Sequence, residues 1–395
     1  MWSFGNQRTN PLGFPGDKRS LASISTFPLP DLPLPLRPSF FLLPPSHTSL
    51  SGLLLLWSRI TAVMSTSSLY DVLIIGSGPA GLSAALALGR VRRTALVLSS
   101  EEFRNAKAPA LHGVISRDGE SPAEFLRISR EQIAQKYQKT ISFEHTKIVS
   151  IRKKEIQLHD HDGEALYDAF EAEDSSGRVF RGKKMILATG SRDIFPDIEG
   201  FAENWGENIY QCLLCDGFER TNHPSGVGVL AFPDGNSYGH LALRVLSFDP
   251  TRVVMFTNGH SLDFEDECLG QAIARGCIID SRKIACLKAL PSDECGVRLH
   301  FESGETDVVG FIVNKPQTVP SSLDLVHQIG LSTTDIENYG TIVDKKPMGG
   351  TSVRGLYVCG DAGDPVKVVT LAMAQGAICV DFVWGELVSE ESQKS

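Results

Sequence analysis

The sequence predicts an α/β protein, and three observations carry that prediction. Residues 69–75 read Leu-Tyr-Asp-Val-Leu-Ile-Ile and run straight into Gly76-Ser77-Gly78-Pro79-Ala80-Gly81, followed by an Ala- and Leu-rich helix over 82–88. Much later, Met185-Ile-Leu-Ala188-Thr189-Gly190 reads as a buried strand closing in a small-residue turn. Later still, Thr351 to Cys359 reads as a strand closing in Gly360-Asp361. Strand, glycine turn and helix in unbroken succession are the context in which Gly-x-Gly-x-x-Gly cradles a dinucleotide.

Each element has a physical reason. Gly76 permits the tight turn, Gly78 lets the backbone approach a pyrophosphate, and Gly81 lets the helix lie close on the strand, with the helix N-terminus facing the phosphates. The second strand, 94–98, ends in Ser99-Ser100-Glu101-Glu102. An acidic residue usually closes this strand to hold the ribose hydroxyls; Ser99 stands there instead, so Glu101 or Glu102 is the substitute. Alternation at Val149 and Ile151, then at Ile156 and Leu158, with a turn at 160–163, predicts antiparallel strands within 141–180. At the far end, Asp361 can hold a flavin's ribityl chain by charge-assisted hydrogen bonds, and a helix over about 366–383 can aim its N-terminus at the isoalloxazine.

Composition bounds the rest. With 38 Lys+Arg against 47 Asp+Glu (net charge −9) and 42% hydrophobic residues in 395, the chain is an ordinary globular protein of two or three domains. The acidic balance argues against nucleic acid as a partner. Residues 1–63 hold nine of the 21 prolines, five basic residues and two acidic ones, so this segment is not expected to pack. It reads as a disordered or upstream extension with Met64 as the working start, as an organelle transit segment, or as a proline-rich binding tail. Removing its charge of +3 leaves −12 on the remainder. The apolar run at Leu53 to Trp57 falls short of the roughly 18 residues of a membrane span, so no transmembrane helix and no membrane partner are expected. Eight cysteines are too few for a disulfide-stapled secreted scaffold, which points to the cytoplasm.

Two of those cysteines are the chemical centre. Tyr210-Gln211-Cys212-Leu213-Leu214-Cys215-Asp216-Gly217-Phe218 places the sulfurs close enough to form a small disulfide ring, with a helix N-terminus expected beneath them to lower a thiol pKa. Zinc would need four ligands, usually from a second paired knuckle, and the sequence offers none, so no metal is expected. Cys268, Cys277, Cys286 and Cys295 recur every nine residues between unlike segments, and they read as buried or incidental, while Cys359 and Cys379 read as core. The run His159-Asp160-His161-Asp162 falls in a turn and reads as a solvated loop.

The order Gly-Ser-Gly-Pro-Ala-Gly, Ala-Thr-Gly, Cys-x-x-Cys-Asp-Gly and Gly-Asp resembles the low-molecular-weight thioredoxin reductases, over about residues 69–388. The resemblance implies FAD, a homodimer and two Rossmann-like domains of three β/β/α layers. The FAD domain would be split over 69–194 and 310–395, behind a 1–68 extension, with a nucleotide-binding-like domain over 195–309 that carries the Cys-x-x-Cys. It implies that Gly76, Ser77, Gly78, Pro79, Ala80, Gly81, Ser99, Arg104, Asn105, His112, Ala188, Thr189, Gly190, Gly360, Asp361, Lys367 and Val368 bind the cofactor. By the same resemblance Cys215 is the flavin-proximal thiol, Cys212 the interchange thiol and Asp216 the acid/base.

The inserted domain departs from the reductase pattern. Its first strand, 227–231, runs into Phe232-Pro233-Asp234-Gly235-Asn236-Ser237-Tyr238-Gly239, where no second glycine fingerprint can be read. After the next strand, 252–256, comes Thr257-Asn258-Gly259-His260, where NADPH-using relatives place an arginine pair. Losing both features removes most of the selectivity for NADPH, since each charge-assisted contact is worth roughly 1.5–3 kcal/mol. This shifts the resemblance toward the fungal dithiol oxidases of the gliotoxin type, as do Phe103-Arg104-Asn105, Leu111-His112-Gly113-Val114, Ser116-Arg117-Asp118-Gly119 and Pro122-Ala123-Glu124-Phe125. In that branch a small-molecule dithiol reduces the enzyme disulfide and O2 reoxidises the flavin, giving a cyclic disulfide and hydrogen peroxide. His112 is the candidate base for the substrate thiol, or a residue that only packs against FAD. That branch carries a histidine after the second cysteine, whereas Asp216 is the reductase-like residue. Three readings therefore stand: a dithiol oxidase, an NADPH-dependent reductase of thioredoxin or a similar protein, and a redox-inert flavin-binding regulator.

Overall fold

The computed structural model describes residues 68–393 except 161–162, 233–237, 292–293, 335–339 and 343. The proline-rich segment, Met64, His161-Asp162 and the loop Pro233 to Ser237 lie outside the described residues.

The first sheet is built on the fingerprint strand. β1 (Leu69–Ile75) pairs in parallel with β2 (Ala95–Ser99) on one side and with β6 (Val179–Leu187) on the other. Beyond β2 lies β3 (Ile141–His145), and β17 (Leu356–Val358) pairs in parallel with β6. The N-terminal half of β6 also pairs antiparallel with β5 (Gly163–Asp174), which pairs with β4 (Ile148–Asp160). Within the predicted antiparallel region, β3 is thus the exception, parallel to β2.

Period-two alternation gives the sheet two buried faces. Val72 and Ile74 face helices α1 (Pro79–Arg90) and α7 (Val369–Ser392), meeting Leu88, Val380 and Val383. Leu73 and Ile75 face the other core, with Phe170, Met185 and Val326. Helix α2 (Pro122–Lys136) begins at a Ser121 cap whose side chain accepts from Glu124 N. Helix α7 starts three residues later and runs longer than the sequence suggested. Over 24 residues it is long and apolar enough, by length and composition, to cross a membrane, which the sequence reading did not foresee. Its face Ala372, Gly376, Cys379, Val380, Val383 and Leu387 is buried, the pattern of a helix packed in a core.

The chain leaves this half through β7 (Ser191–Ile194) and returns through β16 (Gln317–Pro320), and the two form an antiparallel ribbon. Between them, after the short α3 (Phe201–Asn204), comes an all-parallel sheet in the order β11-β10-β9-β15-β8. Its strands are β8 (Ile209–Tyr210), β9 (Val227–Leu230), β10 (Val253–Phe256), β11 (Ile278–Asp280) and β15 (Phe311–Val313). Helices α4 (Tyr238–Phe248) and α5 (Glu267–Ala274) cover one face. A three-stranded antiparallel sheet of β12 (Ile284–Ala289), β13 (Val297–Phe301) and β14 (Thr306–Val309) covers the other. Because β15 pairs with β9 and β8, the inserted part runs past Val313, and the boundary drawn at residues 309 and 310 moves accordingly. Helix α6 (Leu323–Gln328) then returns the chain to the first half.

Candidate functional site

The glycine turn has the shape a pyrophosphate needs. Gly76 sits at φ +107°, and a Cβ there would lie 2.4 Å from the Ala188 carbonyl oxygen, so turn and Ala188-Thr189-Gly190 strand end meet backbone to backbone. At Gly81 a Cβ would lie 2.0 Å from Gly76 O, which fixes α1 against the turn. Gly78, by contrast, faces open space, with nothing within 4 Å of an added Cβ. Neither α1 nor α7 has a side-chain cap or an acidic residue in its first turn, so their N-terminal N–H groups stay available to an anion. Those features fit FAD: Ser77 to Gly81 would hold the pyrophosphate, and Lys367 and Val368 stand where α7 begins.

The ribose end is arranged differently from the expectation. Ser77 Oγ donates to the buried Ser99 Oγ at 2.8 Å, which also accepts from Glu101 N at 3.1 Å. Glu101 pairs with Arg130 and lies 3.5 Å from His145 Nδ1, and Glu102 pairs with Lys147 at 3.2 Å. Both glutamates proposed as substitutes therefore stand beside cations in solvent-exposed pairs. Thr189 Oγ1 accepts from Ser322 Oγ at 2.6 Å, and Gly190 O accepts from Ser321 N, which stitches the two FAD-half segments together.

Gly360-Asp361 is a tight 3-10 turn after β17. Burial pushes the Asp361 carboxyl above its usual range, against the pull of Arg104 and Lys367. Lys367 Nζ donates to the backbone carbonyls of Asp361 at 2.9 Å and Asp364 at 3.2 Å, and burial brings its pKa down to about 8. Arg104 lies 3.6 Å from Asp361 Oδ2. Asn105 is half-buried next to Arg104 in a turn over residues 104–107, its carbonyl accepting from Ala108 N.

The Cys-x-x-Cys follows β8 directly. Among the described residues no helix begins within the dithiol turn: Cys212 O accepts from Cys215 N at 3.1 Å and Asp216 N at 3.0 Å, closing the turn, and the first helical residues after it are a 3-10 turn at Phe218–Arg220. The expected helix N-terminus is therefore replaced by a local device. A hydrogen bond from the Cys215 thiol brings the Cys212 pKa down to about 7 against the effect of burial, helped by the N–H groups of Cys215 and Leu214. The same bond, with burial, pushes Cys215 up. Cys212 is thus the readier thiolate. Burial raises Asp216 to about 6, which suits a proton acceptor near neutral pH.

His112 is held near the dithiol by a hairpin-like loop in which Leu111 N donates to Glu120 O. Each ring nitrogen faces a carboxylate: Nδ1 lies 3.6 Å from Asp118 Oδ2, and Nε2 3.6 Å from Glu219 Oε1. His112, Cys212, Cys215, Asp216, Arg104, Lys367 and Val368 all line one cleft of about 1090 Å³. Its walls include Leu214 and Phe218, 80% and 75% exposed. The fingerprint glycines, Ser99 and Thr189 to Gly190 are not among its lining residues. Sequence reasoning missed Asp118, Glu219 and Gln211 as cleft residues; only the sequence proximity of Glu219 and Gln211 to the dithiol could have signalled them.

One consequence is a pH profile. The ionised Asp216 carboxylate gains population as pH rises through about 6, and the Cys212 thiolate as it rises through about 7. Turnover is expected to climb through both steps, and Asp216→Asn to lose the lower step and roughly 10²-fold in rate. Initial rates between pH 5 and 9 with a fixed dithiol check this.

Known proteins place this geometry. Residues 70–232 match the family model for pyridine nucleotide-disulphide oxidoreductases. The chain is 34% identical over 318 residues to "Thioredoxin reductase sirT" of Leptosphaeria maculans, covering 78% of this chain and 91% of the relative. It is 33% identical over 336 residues to "Thioredoxin reductase tcpT" of Claviceps purpurea, covering 84% and 99%. Among solved structures, an oxidoreductase from Agrobacterium tumefaciens superposes with a TM-score of 0.70 at 27% identity, over 81% of this chain and 99% of the other. The chain therefore belongs to the thioredoxin reductase family of FAD-dependent oxidoreductases acting on sulfur groups.

Proposed function

We propose that this protein oxidises a small-molecule dithiol to a disulfide with oxygen as the electron acceptor. The observation that carries this reading is a ring stack in the inserted domain. A Rossmann sheet takes a dinucleotide across the carboxyl ends of its central strands. Here the loops leaving β9 and β10 are joined by Phe232 and His260, with centroids 5.5 Å apart and planes at 9°. Phe232 is buried, and Asn258 in the second loop is spent on the main chain, its Oδ1 accepting from Ile284 N at 2.7 Å. At the described ends of these two loops stand a ring stack with Phe232 packed in the core and an amide already tied to the main chain, rather than the arginine pair that NADPH would need, which supports electrons entering from the substrate.

The chemistry balances on this chain's groups. A substrate thiolate attacks the Cys212–Cys215 disulfide, the second substrate thiolate displaces the enzyme sulfur, and the substrate leaves as a disulfide with the enzyme pair reduced. Asp216 and His112 are placed to accept the two thiol protons. FAD held by residues 77–81 and the strand-end Asp361 would supply the two-electron carrier between the dithiol and O2, with hydrogen peroxide as the reduced product. The exposed apolar stripe Ile378, Phe382, Trp384 and Val388 on α7 supports a homodimer.

A second reading, an NADPH-dependent reductase of thioredoxin or a similar disulfide, is favoured by Asp216 and by the printed names of the relatives. Anaerobic titration separates the two. One equivalent of dithiothreitol is expected to bleach the flavin, air to restore it with one hydrogen peroxide per disulfide, and NADPH to act at least about 10²-fold more slowly. Rapid bleaching by stoichiometric NADPH sinks the oxidase reading, and a flavin unmoved by either reagent points to the redox-inert regulator.

A further inference from the structure

Arg104 is engaged on three of its donor groups, and only one of its partners lies in the flavin half's strand-end turn. Its Nε donates to both oxygens of Asp193, at 3.1 and 3.0 Å, and one terminal nitrogen donates to Asp193 Oδ1 at 2.5 Å. Both side chains are nearly buried, with relative exposures of 12% and 4%. Asp193 sits on β7, in register with Thr318 of β16, so the guanidinium is anchored on the ribbon that joins the two halves of the protein. The nitrogen that meets Asp193 also donates to Gln211 Oε1, and the remaining one lies 3.6 Å from Asp361 Oδ2. Gln211 immediately precedes Cys212 and lines the cleft.

A planar fork held on two sides has little freedom left, so whatever it grips on the third side is placed by it. Gln211 belongs to the inserted part, one residue beyond β8. Its amide is therefore the point where the flavin half and the connecting ribbon take hold of the dithiol segment.

We infer that Arg104 and Gln211 are positioning residues that fix the Cys212–Cys215 turn against the flavin half. Their contact specifies the arrangement in which the dithiol, rather than another face of the inserted domain, meets the flavin. The electrostatics agree: a hydrogen bond with Cys212 and burial push Cys215 up, while the Arg104 charge pulls it down. The inference rests on Cys212 and Cys215 being the redox pair, but not on whether electrons come from a dithiol or from NADPH.

The test compares Gln211→Leu with Gln211→Glu in the FAD-loaded protein. Gln211→Leu removes the acceptor, whereas Gln211→Glu keeps one for the guanidinium. The readouts are the long-wavelength charge-transfer absorbance of the half-reduced protein, the rate of Cys212 alkylation by iodoacetamide from pH 6 to 9, and turnover of dithiothreitol. Gln211→Leu is expected to lose most of the charge-transfer absorbance and roughly 10- to 100-fold in turnover, the scale of an ångström of misplacement, with FAD content and melting temperature unchanged. Gln211→Glu is expected to recover both signals to within about threefold. If Gln211→Leu keeps charge-transfer absorbance and turnover at the wild-type level, or if Gln211→Glu fails as badly as Gln211→Leu, the positioning role is refuted. Cys212→Ser serves as the reference: turnover that survives it refutes the redox pair itself, a failure distinct from that of the latch. Should Gln211→Leu not fold, Arg104→Lys, which keeps the charge but loses the fork, is expected to weaken the charge-transfer absorbance in the same way.

Discussion

Cys212→Ser is expected to lower thiol turnover at least about 10³-fold while leaving a folded flavoprotein. The Cys212 pKa is brought down to about 7 by the Cys215 hydrogen bond and two N–H groups of its own turn, so an appreciable fraction is thiolate at neutral pH. A serine hydroxyl is neither ionised there nor able to form a disulfide, so two-electron exchange stops at the first step. Fold and cofactor should survive, because the turn is held by Cys215 N and Asp216 N donating to Cys212 O, which the substitution leaves in place. Turnover of dithiothreitol with oxygen, and of a disulfide with NADPH, should both collapse while the flavin absorbance per protein stays constant. Undiminished activity in either assay overturns the assignment of Cys212 and Cys215 as the redox pair.

Gly376→Val is expected to be as severe for the fold as Cys212→Ser is for the chemistry. A Cβ at Gly376 would lie 2.1 Å from Ala80 O, 2.9 Å from Ala80 C and 3.2 Å from Ala80 Cα. All three are backbone atoms of the fingerprint helix α1, so relief requires α7 to lift off the cradle. Overpacking typically costs about 1–3 kcal/mol, and the upper end is expected where the clash is with backbone, a large share of a domain's net stability. Both the melting temperature and the FAD retained after gel filtration should fall together. Gly385→Ala, on the same helix with nothing within 4 Å, is the control and is expected to shift stability by less than about 1 kcal/mol. Equal behaviour of the two variants would mean that the α1–α7 contact does not support the cofactor site.

Much of the fold was legible because its signals are local. An apolar run of seven, a glycine turn and a helix report their own backbone requirements, and Gly76 and Gly81 take up the tight positions those requirements predict. The closeness of Cys212 and Cys215 was legible for the same reason, since residues three apart in one turn need no tertiary information to be neighbours. Expectations weakened where partners come from distant segments. Ser99, Glu101 and Glu102 could not be assigned from β2 alone, because Ser77, Arg130 and Lys147 decide what each is bound to. The helix expected under Cys212 failed because a hydrogen-bonded turn supplies the same N–H groups at shorter range, and no local pattern distinguishes the two.

Residue types and spacing by themselves marked out a phosphate cradle, a strand-end aspartate and a Cys-x-x-Cys, each written within a few consecutive residues, and these motifs carry the resemblance to a sulfur-active flavoprotein family. Only the tertiary structure decided what surrounds them. It brought Phe232 against His260 across two loops, set Asp118 and Glu219 on either side of His112, and carried Arg104 to Asp193, Gln211 and Asp361, positions 89, 107 and 257 residues away. Such contacts depend on how the ribbon and the two sheets fold back on one another. Hydrogen bonds and stacking act over a few ångströms in space, whatever the distance along the chain.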